Sequence, residues 1–549
     1  MACIYLENLF NYTHSYNLPG GGCLLKKISL HPYLITISFI LVYYVGLKAP
    51  SPKWEIIPIC IIGVAISFSI FKLIYFFNKQ FYKSAILTSC SMLVLVNLDG
   101  IYEILINEKS FLFQFRVFLT TIIGQYAIFF LGVLGIIILG FLLLKIKNDL
   151  QPISVFMDFS TVALVILITF QMVATVSSNS ESGITREDKT QELWSAYSKQ
   201  VIDGLPKETN FTEDIYYIVL DGYGDQEVIA DLCGNDSYLL ATRLSDLGFL
   251  VIRDAKTNYN QTRFSISSAL NFSYIQDLQS AVDVSGDDTA FPILLINQNM
   301  LFQFLRQVGY KTITFRTPFD QINVHTSNYY IAPPLYPSPF IEVLVNNTFL
   351  SLFFWKTQYI WHSLGIENIL DEINNLQKID KPIFVYAHLL IPHPPFVFSS
   401  DGRITIPEKK YDLRDNNEFV ELDNRQTYID GYCDQVSFID VRINTIVSQL
   451  ILDSPDAVII IQGDHGPGAD FFQDDYEKSD LNQKFHILNA IYFPDQEYQL
   501  LSDDVTPVNT FRVILNKYFN STSPLLENRT FYSGYSNIYD FIDITDQLR

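Results

Sequence analysis

Five long apolar stretches crowd the first third of the chain, and they limit the fold more than any other feature. They run over residues 30–48, 55–77, 84–106, 117–144 and 153–177. A helix needs about 20 mainly apolar residues to cross the hydrocarbon core of a bilayer. The pattern therefore predicts a bundle of five transmembrane helices. The first run starts late and others follow closely, which is not the layout of a cleaved signal peptide. Flanking basic residues set the orientation. Lys26, Lys27, Lys79, Lys83, Lys145 and Lys147 mark the cytoplasmic side. The opposite loops hold Lys48, Lys53, Lys109 and Arg116, partly balanced by Glu55, Glu103 and Glu108. An odd number of spans then puts everything after about residue 178 outside the cytoplasm. Asp99 and Glu103 sit near the end of the third stretch, at the predicted outer interface, where water reaches them.

Charge divides the chain at the same place. Residues 1–178 carry 11 Lys and Arg against 7 Asp and Glu, whereas the whole chain has a net charge of −21. The excess acid lies entirely in the later part. Such a split points to two environments, a membrane module and an acidic, water-facing domain. The acidity excludes nucleic acid as a main partner, because phosphates call for a basic surface. An aromatic content of 15% excludes a mostly disordered chain, and six cysteines in 549 residues exclude a disulfide scaffold. Cys233 and Cys433 are the only cysteines of the outer domain and could pair in an oxidising compartment. The domains are expected at 1–178 (membrane), 179–212 (a polar linker with one amphipathic patch) and 213–549 (extracytoplasmic).

Beyond the linker, short runs rich in Val, Ile, Tyr and Phe alternate with helical stretches. Strands are expected at 215–220, 249–252, 312–315, 383–387, 457–462 and 487–493, and helices near 237–247, 264–271, 298–308, 366–377 and 430–452. Unbroken apolar strands separated by helices indicate a largely parallel sheet covered on both faces. Ligands in such folds bind beyond the carboxyl ends of the strands.

Polar residues just after the strands are therefore the candidates. Asp221 ends IYYIVLDGYG and is placed either to bind a hard metal ion or to cap the next helix. Asp464 and His465 follow AVIIIQ inside a Gly-Asp-His-Gly turn, where they offer an oxygen and an imidazole nitrogen to one ion. His388 and His393 lie in IFVYAHLLIPHPPF, on a proline-stiffened loop suited to holding an anionic oxygen or moving a proton. His388, close to the strand, reads equally well as a buried core histidine. Thr262 and Ser265 stand at the start of a helix, where a hydroxyl is either a nucleophile near free N–H groups or an N-cap.

Taken together and in this order, these segments resemble the sulfatase and alkaline-phosphatase superfamily. The five spans ahead of an outward-facing domain look like its lipoteichoic-acid synthase and phosphoethanolamine-transferase branches. The resemblance implies an α/β sulfatase-like domain and one divalent metal ion (Mn, Zn, Mg or Ca) held by Asp221, Thr262, Asp464 and His465. It implies Thr262 as nucleophile, with His393, and more weakly His388, holding the transferred group or protonating the leaving group. Ser265 and His486 would touch substrate. The C/S-x-P-x-R motif of true sulfatases is absent around Thr262, which lowers the odds of sulfate-ester hydrolysis. The expected activity is transfer or hydrolysis of a phosphoryl-type group of the phosphoglycerol or phosphoethanolamine class. The substrate would be a lipid or envelope-glycan phosphoester at a bacterial cytoplasmic membrane. The rivals are a phosphate- or sulfate-ester hydrolase of the same superfamily and a non-catalytic membrane protein that binds a glycan or partner.

Overall fold

A computed structural model describes residues 29–47, 51–97, 127–147, 149–177, 186–234, 239–282, 289–334, 336–409, 411–422 and 424–548. The chain divides into two units, one of residues 1–179 with 339–350, the other of 180–338 with 351–549.

In the first unit, helices occur at all five apolar stretches: α1 (His31–Val45), α2 (Ile56–Asn78), α3 (Phe81–Val96), α4 (Ala127–Lys145) and α5 (Gln151–Ser177). Among the described residues two segments, Lys53–Asn78 and Gln151–Thr169, are long and apolar enough to cross a membrane. The end of the third stretch, with Asp99 and Glu103, and the start of the fourth lie outside the described residues. The exposed surface of α2 is apolar, with Ile57, Ile61, Phe76 and Phe77 all more than half exposed. A lipid-facing helix has this composition. A polar cluster ties α1, α3 and α5. His31 meets Ser89 through Nδ1 and Ser154 through Nε2, and Asp158 Oδ1 accepts the backbone N–H groups of Leu30 and His31 at 2.7 Å. Those N–H groups have no partner within their own helix, so the carboxylate of α5 closes the start of α1. Residues 339–350 also belong here. Phe340 is fully buried with its ring edge-on to Tyr44 of α1, and Phe349 N–H donates to the Leu95 carbonyl of α3.

The second unit is built on a seven-stranded sheet of β1 (Ile215–Leu220), β2 (Leu250–Val251), β3 (Lys311–Phe315), β4 (Tyr329–Ile331), β5 (Ile383–Leu389), β6 (Val458–Gly463) and β7 (Asn489–Tyr492). Its order is β2-β7-β6-β1-β5-β3-β4. The run from β6 to β4 is parallel, and β7 pairs antiparallel with both β6 and β2. Every residue of β1, β5 and β6 is buried, because helices cover both faces. The period of two divides β1 cleanly between them. Tyr216, Ile218 and Leu220 pack with the long helix Arg425–Asp453, while Ile215, Tyr217 and Val219 pack with the helices at 262–271, 300–307 and 507–518. The helix Arg186–Asp203, within the stretch read as a linker, buries Trp194, whose Nε1 donates to the Gln298 carbonyl at 3.0 Å.

Some elements differ from the sequence reading. The helix expected at 366–377 runs over Ser351–Ile373. Its first half, SLFFWKTQYIWHSLG, is apolar or aromatic on most sides, which hides the 3.6-residue period. β4 was not expected. It is a three-residue edge strand just before Pro333 and Pro334, too short to show alternation. A small second sheet, β8 (Phe531–Tyr532) with β9 (Ile542–Asp543), closes the C-terminal segment. Cys233 and Cys433 form a disulfide joining the helix Gln226–Cys233 to the long helix.

Candidate active site

Register brings the candidates together. Leu220 of β1 lies opposite Leu389 of β5 on one side and Gly463 of β6 on the other. The three central strands therefore end level, and the next residues of β1 and β6 are Asp221 and Asp464. Gly222 turns the chain after β1 with φ +78°, a conformation that favours glycine. Its N–H donates to Asp464 Oδ1 at 3.0 Å. Gly466 is required after β6, since a Cβ there would stand 2.1 Å from the Gln483 carbonyl.

The result is a buried cluster of donors. His388 Nε2 and Asp221 Oδ2 are 3.0 Å apart, and the Tyr386 hydroxyl lies 3.0 Å from His388 Nδ1. The phenol donates to Nδ1, so Nε2–H donates to the carboxylate and His388 braces Asp221 from behind. His388 forms with Asp221 and Asp464 a group whose ligand atoms lie within 4.8 Å of one another. His465 Nδ1 is 2.9 Å from the Gly466 carbonyl, which can only accept. The proton is therefore on Nδ1 and the lone pair of Nε2 faces the site. Nε2 lies 3.1 Å from Thr262 Oγ1 and 3.6 Å from both Asp221 Oδ1 and Asp464 Oδ2. Those two carboxylate oxygens are buried without a hydrogen bond. A buried carboxylate oxygen left unpaired is costly, and two of them beside an imidazole lone pair are donors of the kind that could hold a divalent cation. Burial pushes the Asp221 carboxyl up, but His393, His388 and His465 outweigh it and hold it below the usual carboxylate range. Burial pulls the His465 imidazole below its ordinary value.

Thr262 is the first residue of its helix, and the preceding Gln261 occupies the cap position. Asp225, not Asp221, caps the helix after β1, accepting from Glu227 N–H and Val228 N–H. Asp221, Thr262, His393 and His465 line one cavity of about 80 Å³. His393 is fixed by its backbone N–H, which donates to the Asp221 carbonyl at 3.0 Å, and by Nδ1–H, which donates to the Pro394 carbonyl. Ser265 and His486 do not line this cavity. Ser265 Oγ lies one turn below, 3.2 Å from Thr257 Oγ1, which itself donates to the Asp464 carbonyl at 2.6 Å. His486 Nε2 faces Asp254 at 3.6 Å and its Nδ1 donates to the Asn482 carbonyl.

Among the cavity residues that escaped the sequence reading are Arg263, Asp415, Lys484 and Tyr535. Lys484 is 1% exposed, and its Nζ donates to Asp415 Oδ2 and Asn416 Oδ1, each at 2.9 Å. Asp415 also accepts from the Tyr428 hydroxyl at 2.7 Å. Burial raises the Asp415 carboxyl, and the Lys484 ammonium together with His393, His465 and the Tyr428 hydroxyl more than reverses this. A lysine inside the apolar run FHILNAIYF and its approach was the one available signal, because lysine is almost never buried without a partner. Asn260 and Gln261 also line the cavity and bind the C-terminal segment. Their side-chain amides donate to the Ser533 carbonyl at 3.0 and 3.1 Å.

A model of the sulfatase family matches residues 221–516, more than half of the chain. No curated protein matches it. Solved structures similar to the chain include the integral membrane lipooligosaccharide phosphoethanolamine transferase A of Neisseria meningitidis. It is 14% identical, with 88% of this chain and 93% of that one covered and a TM-score of 0.38. A second is the C-terminal periplasmic domain of EcEptC from Escherichia coli in complex with Zn, 13% identical, covering 63% and 97%, with a TM-score of 0.39. A third is a protein of the alkaline phosphatase superfamily from Vibrio parahaemolyticus, 14% identical, covering 63% and 81%, with a TM-score of 0.39.

Proposed function

This chain belongs to the sulfatase family of enzymes, and from that premise we propose that it is a membrane-anchored, metal-dependent transferase of a phosphoryl-type group, with Thr262 as nucleophile. The observation that carries the reading is the 3.1 Å approach of Thr262 Oγ1 to His465 Nε2 beside the unpaired oxygens of Asp221 and Asp464. Asp221, Asp464, His465 and Thr262 would hold a divalent cation, and His388 would steady Asp221. A mixed oxygen and nitrogen set suits Zn or Mn better than Ca. When bound, such an ion supplies Lewis acidity and lowers the pKa of the threonine hydroxyl.

The chain's own groups do the rest. The first-turn N–H groups of the helix at Thr262 and the Lys484 ammonium hold nonbridging oxygens of the incoming phosphodiester. Thr262 Oγ1, its hydroxyl proton already released to solvent, forms a bond to phosphorus as the bond to the leaving alcohol breaks, and Nε2–H of protonated His393 gives that alcohol its proton. A phosphorylated Thr262 results. His393 Nε2 then takes a proton from an acceptor hydroxyl, which displaces the threonine in the second half-reaction. The apolar helices support a substrate that stays in or on the bilayer, a lipid or envelope-glycan phosphoester of the phosphoglycerol or phosphoethanolamine class. The basic flanks of those helices support an extracytoplasmic site.

The test uses the full chain in detergent with a lipid phosphodiester donor, with and without an alcohol acceptor. Thr262→Ala is expected to lose turnover by on the order of 10³-fold or more, with an unchanged circular dichroism spectrum. Mass spectrometry of the unmodified enzyme should find the donor's phosphoryl group on Thr262, and a chelator should silence it until a divalent ion is restored. Full activity of Thr262→Ala, or activity indifferent to chelation, rejects the scheme. Product that forms equally with and without acceptor identifies a hydrolase.

A further inference from the structure

Charge inside the cavity is not balanced. Two carboxylates line it, Asp221 and Asp415. Asp221 is bound by His388 and faces His465. Asp415 is bound by Lys484 and Tyr428. Neither is left to receive a cation from the substrate. Arg263, next to Thr262 on the same helix, also lines the cavity. It is partly buried, and among the described residues no ion pair or side-chain hydrogen bond engages its guanidinium. A guanidinium presents five donors in a fixed fork and keeps its charge at any working pH. Holding it partly desolvated without a counter-charge is unfavourable.

Tyr535 stands on the same cavity wall and is 44% exposed. It comes from beyond the family-matched segment, which ends at residue 516. Its position is nevertheless rigid. Ser533, two residues earlier, is fully buried and bonded to Asn260, Gln261 and Gln473, and Ser536 N–H donates to Asp474 Oδ1 at 2.9 Å. The strap thus ties itself to the two residues that precede Thr262 and brings a phenol to the Arg263 side of the cavity.

We infer that Arg263 and Tyr535 form a subsite for a second anionic group, a carboxylate or phosphate, carried by the substrate beside the reacting phosphodiester. This rests on the phosphoryl-transfer reading and deepens it. The substrate is one with an anionic arm, so that of the two classes proposed above a phosphoglycerol substrate bearing a further anion is favoured over a phosphoethanolamine one. The metal ligands, Lys484 and the helix N–H groups serve the reacting phosphorus. The Arg263 fork and the Tyr535 hydroxyl serve the neighbouring anion.

The test is a binding comparison on the full chain in detergent, using methylphosphinates whose second arm is joined to phosphorus through carbon, so that no P–O ester is present to be cleaved. Those arms are ethyl, 2-aminoethyl, 2-carboxyethyl and 2-phosphonoethyl. The anionic arms should bind at least about tenfold tighter than ethyl, the factor expected of one charge-assisted pair, and 2-aminoethyl should bind weakest. Whichever anionic arm binds tighter tells carboxylate from phosphate. Arg263→Gln should erase the preference while changing ethyl binding less than about twofold, Tyr535→Phe should reduce it, and Arg263→Glu should turn it toward 2-aminoethyl. Preference for 2-aminoethyl in the unmodified protein overturns the inference. So do equal weakening of all four by Arg263→Gln and failure of every phosphinate to bind. Because no step is catalysed, the order of affinities stands apart from turnover. The expected order without phosphodiester turnover would reject the transferase reading and keep the subsite.

Discussion

Asp440 is a carboxyl group that folding keeps protonated. It is 4% exposed on the long helix and accepts the Tyr223 hydroxyl, one residue from the Gly222 turn. Burial pushes its pKa up to about 7. The unfolded chain loses this proton near pH 4, whereas the folded chain keeps it until about pH 7. Stability therefore falls as pH rises across that window and stays lower above it. Asp440→Asn keeps an acceptor for Tyr223 and removes the titration. It should stabilise the protein at pH 7.5 by on the order of 2 kcal/mol, with little gain at pH 4. Thermal unfolding of both proteins at the two pH values checks this, and an equal shift at both would reject it. At the same scale, Asp221 and Asp464 were legible as candidates because each stands directly after a mainly apolar strand, with His465 next in the second turn, and position after a strand is a local property. Arg263, Asp415, Lys484 and Tyr535 were not. They come from four separate regions and meet only through tertiary packing. Asp415 in particular sits in a loop, YDLRDNNEF, without periodicity.

Among elements, the core strands β1, β5 and β6 could be read almost to the residue, since a strand buried on both faces is apolar throughout. Short elements could not. β2 has two residues and β4 three, fewer than a period-two pattern needs. The disulfide was open from the sequence, as two cysteines 200 residues apart carry no statement of distance. It joins the helix capped by Asp225 to the long helix, where Tyr432, beside Cys433, donates to the Gly222 carbonyl and accepts from Gly224 N–H. Closing so long a loop restricts the unfolded chain, a contribution of about 2–4 kcal/mol. A reductant should lower the unfolding midpoint of the full chain by several degrees. The double variant Cys233→Ser, Cys433→Ser should start at that lower midpoint and ignore reductant. An unmodified protein indifferent to reductant contradicts the assignment.

For the whole molecule, the division into an apolar and an acidic half was the most legible feature of all, because charge and hydropathy need no contacts to be read. A phosphatase reporter that works only outside the cytoplasm, fused after Arg549, should be active, and an inactive fusion of normal abundance would reverse the orientation. The same linear logic missed that residues 339–350, deep in the acidic half, are part of the helical unit. That small excursion has a practical outcome for anyone dissecting the molecule. Phe340 packs against α1, and Phe349 bonds to α3. Expressing residues 180–549 alone would strip those greasy side chains of their cover and invite clumping, so a well-behaved excised version should splice out this dozen residues first.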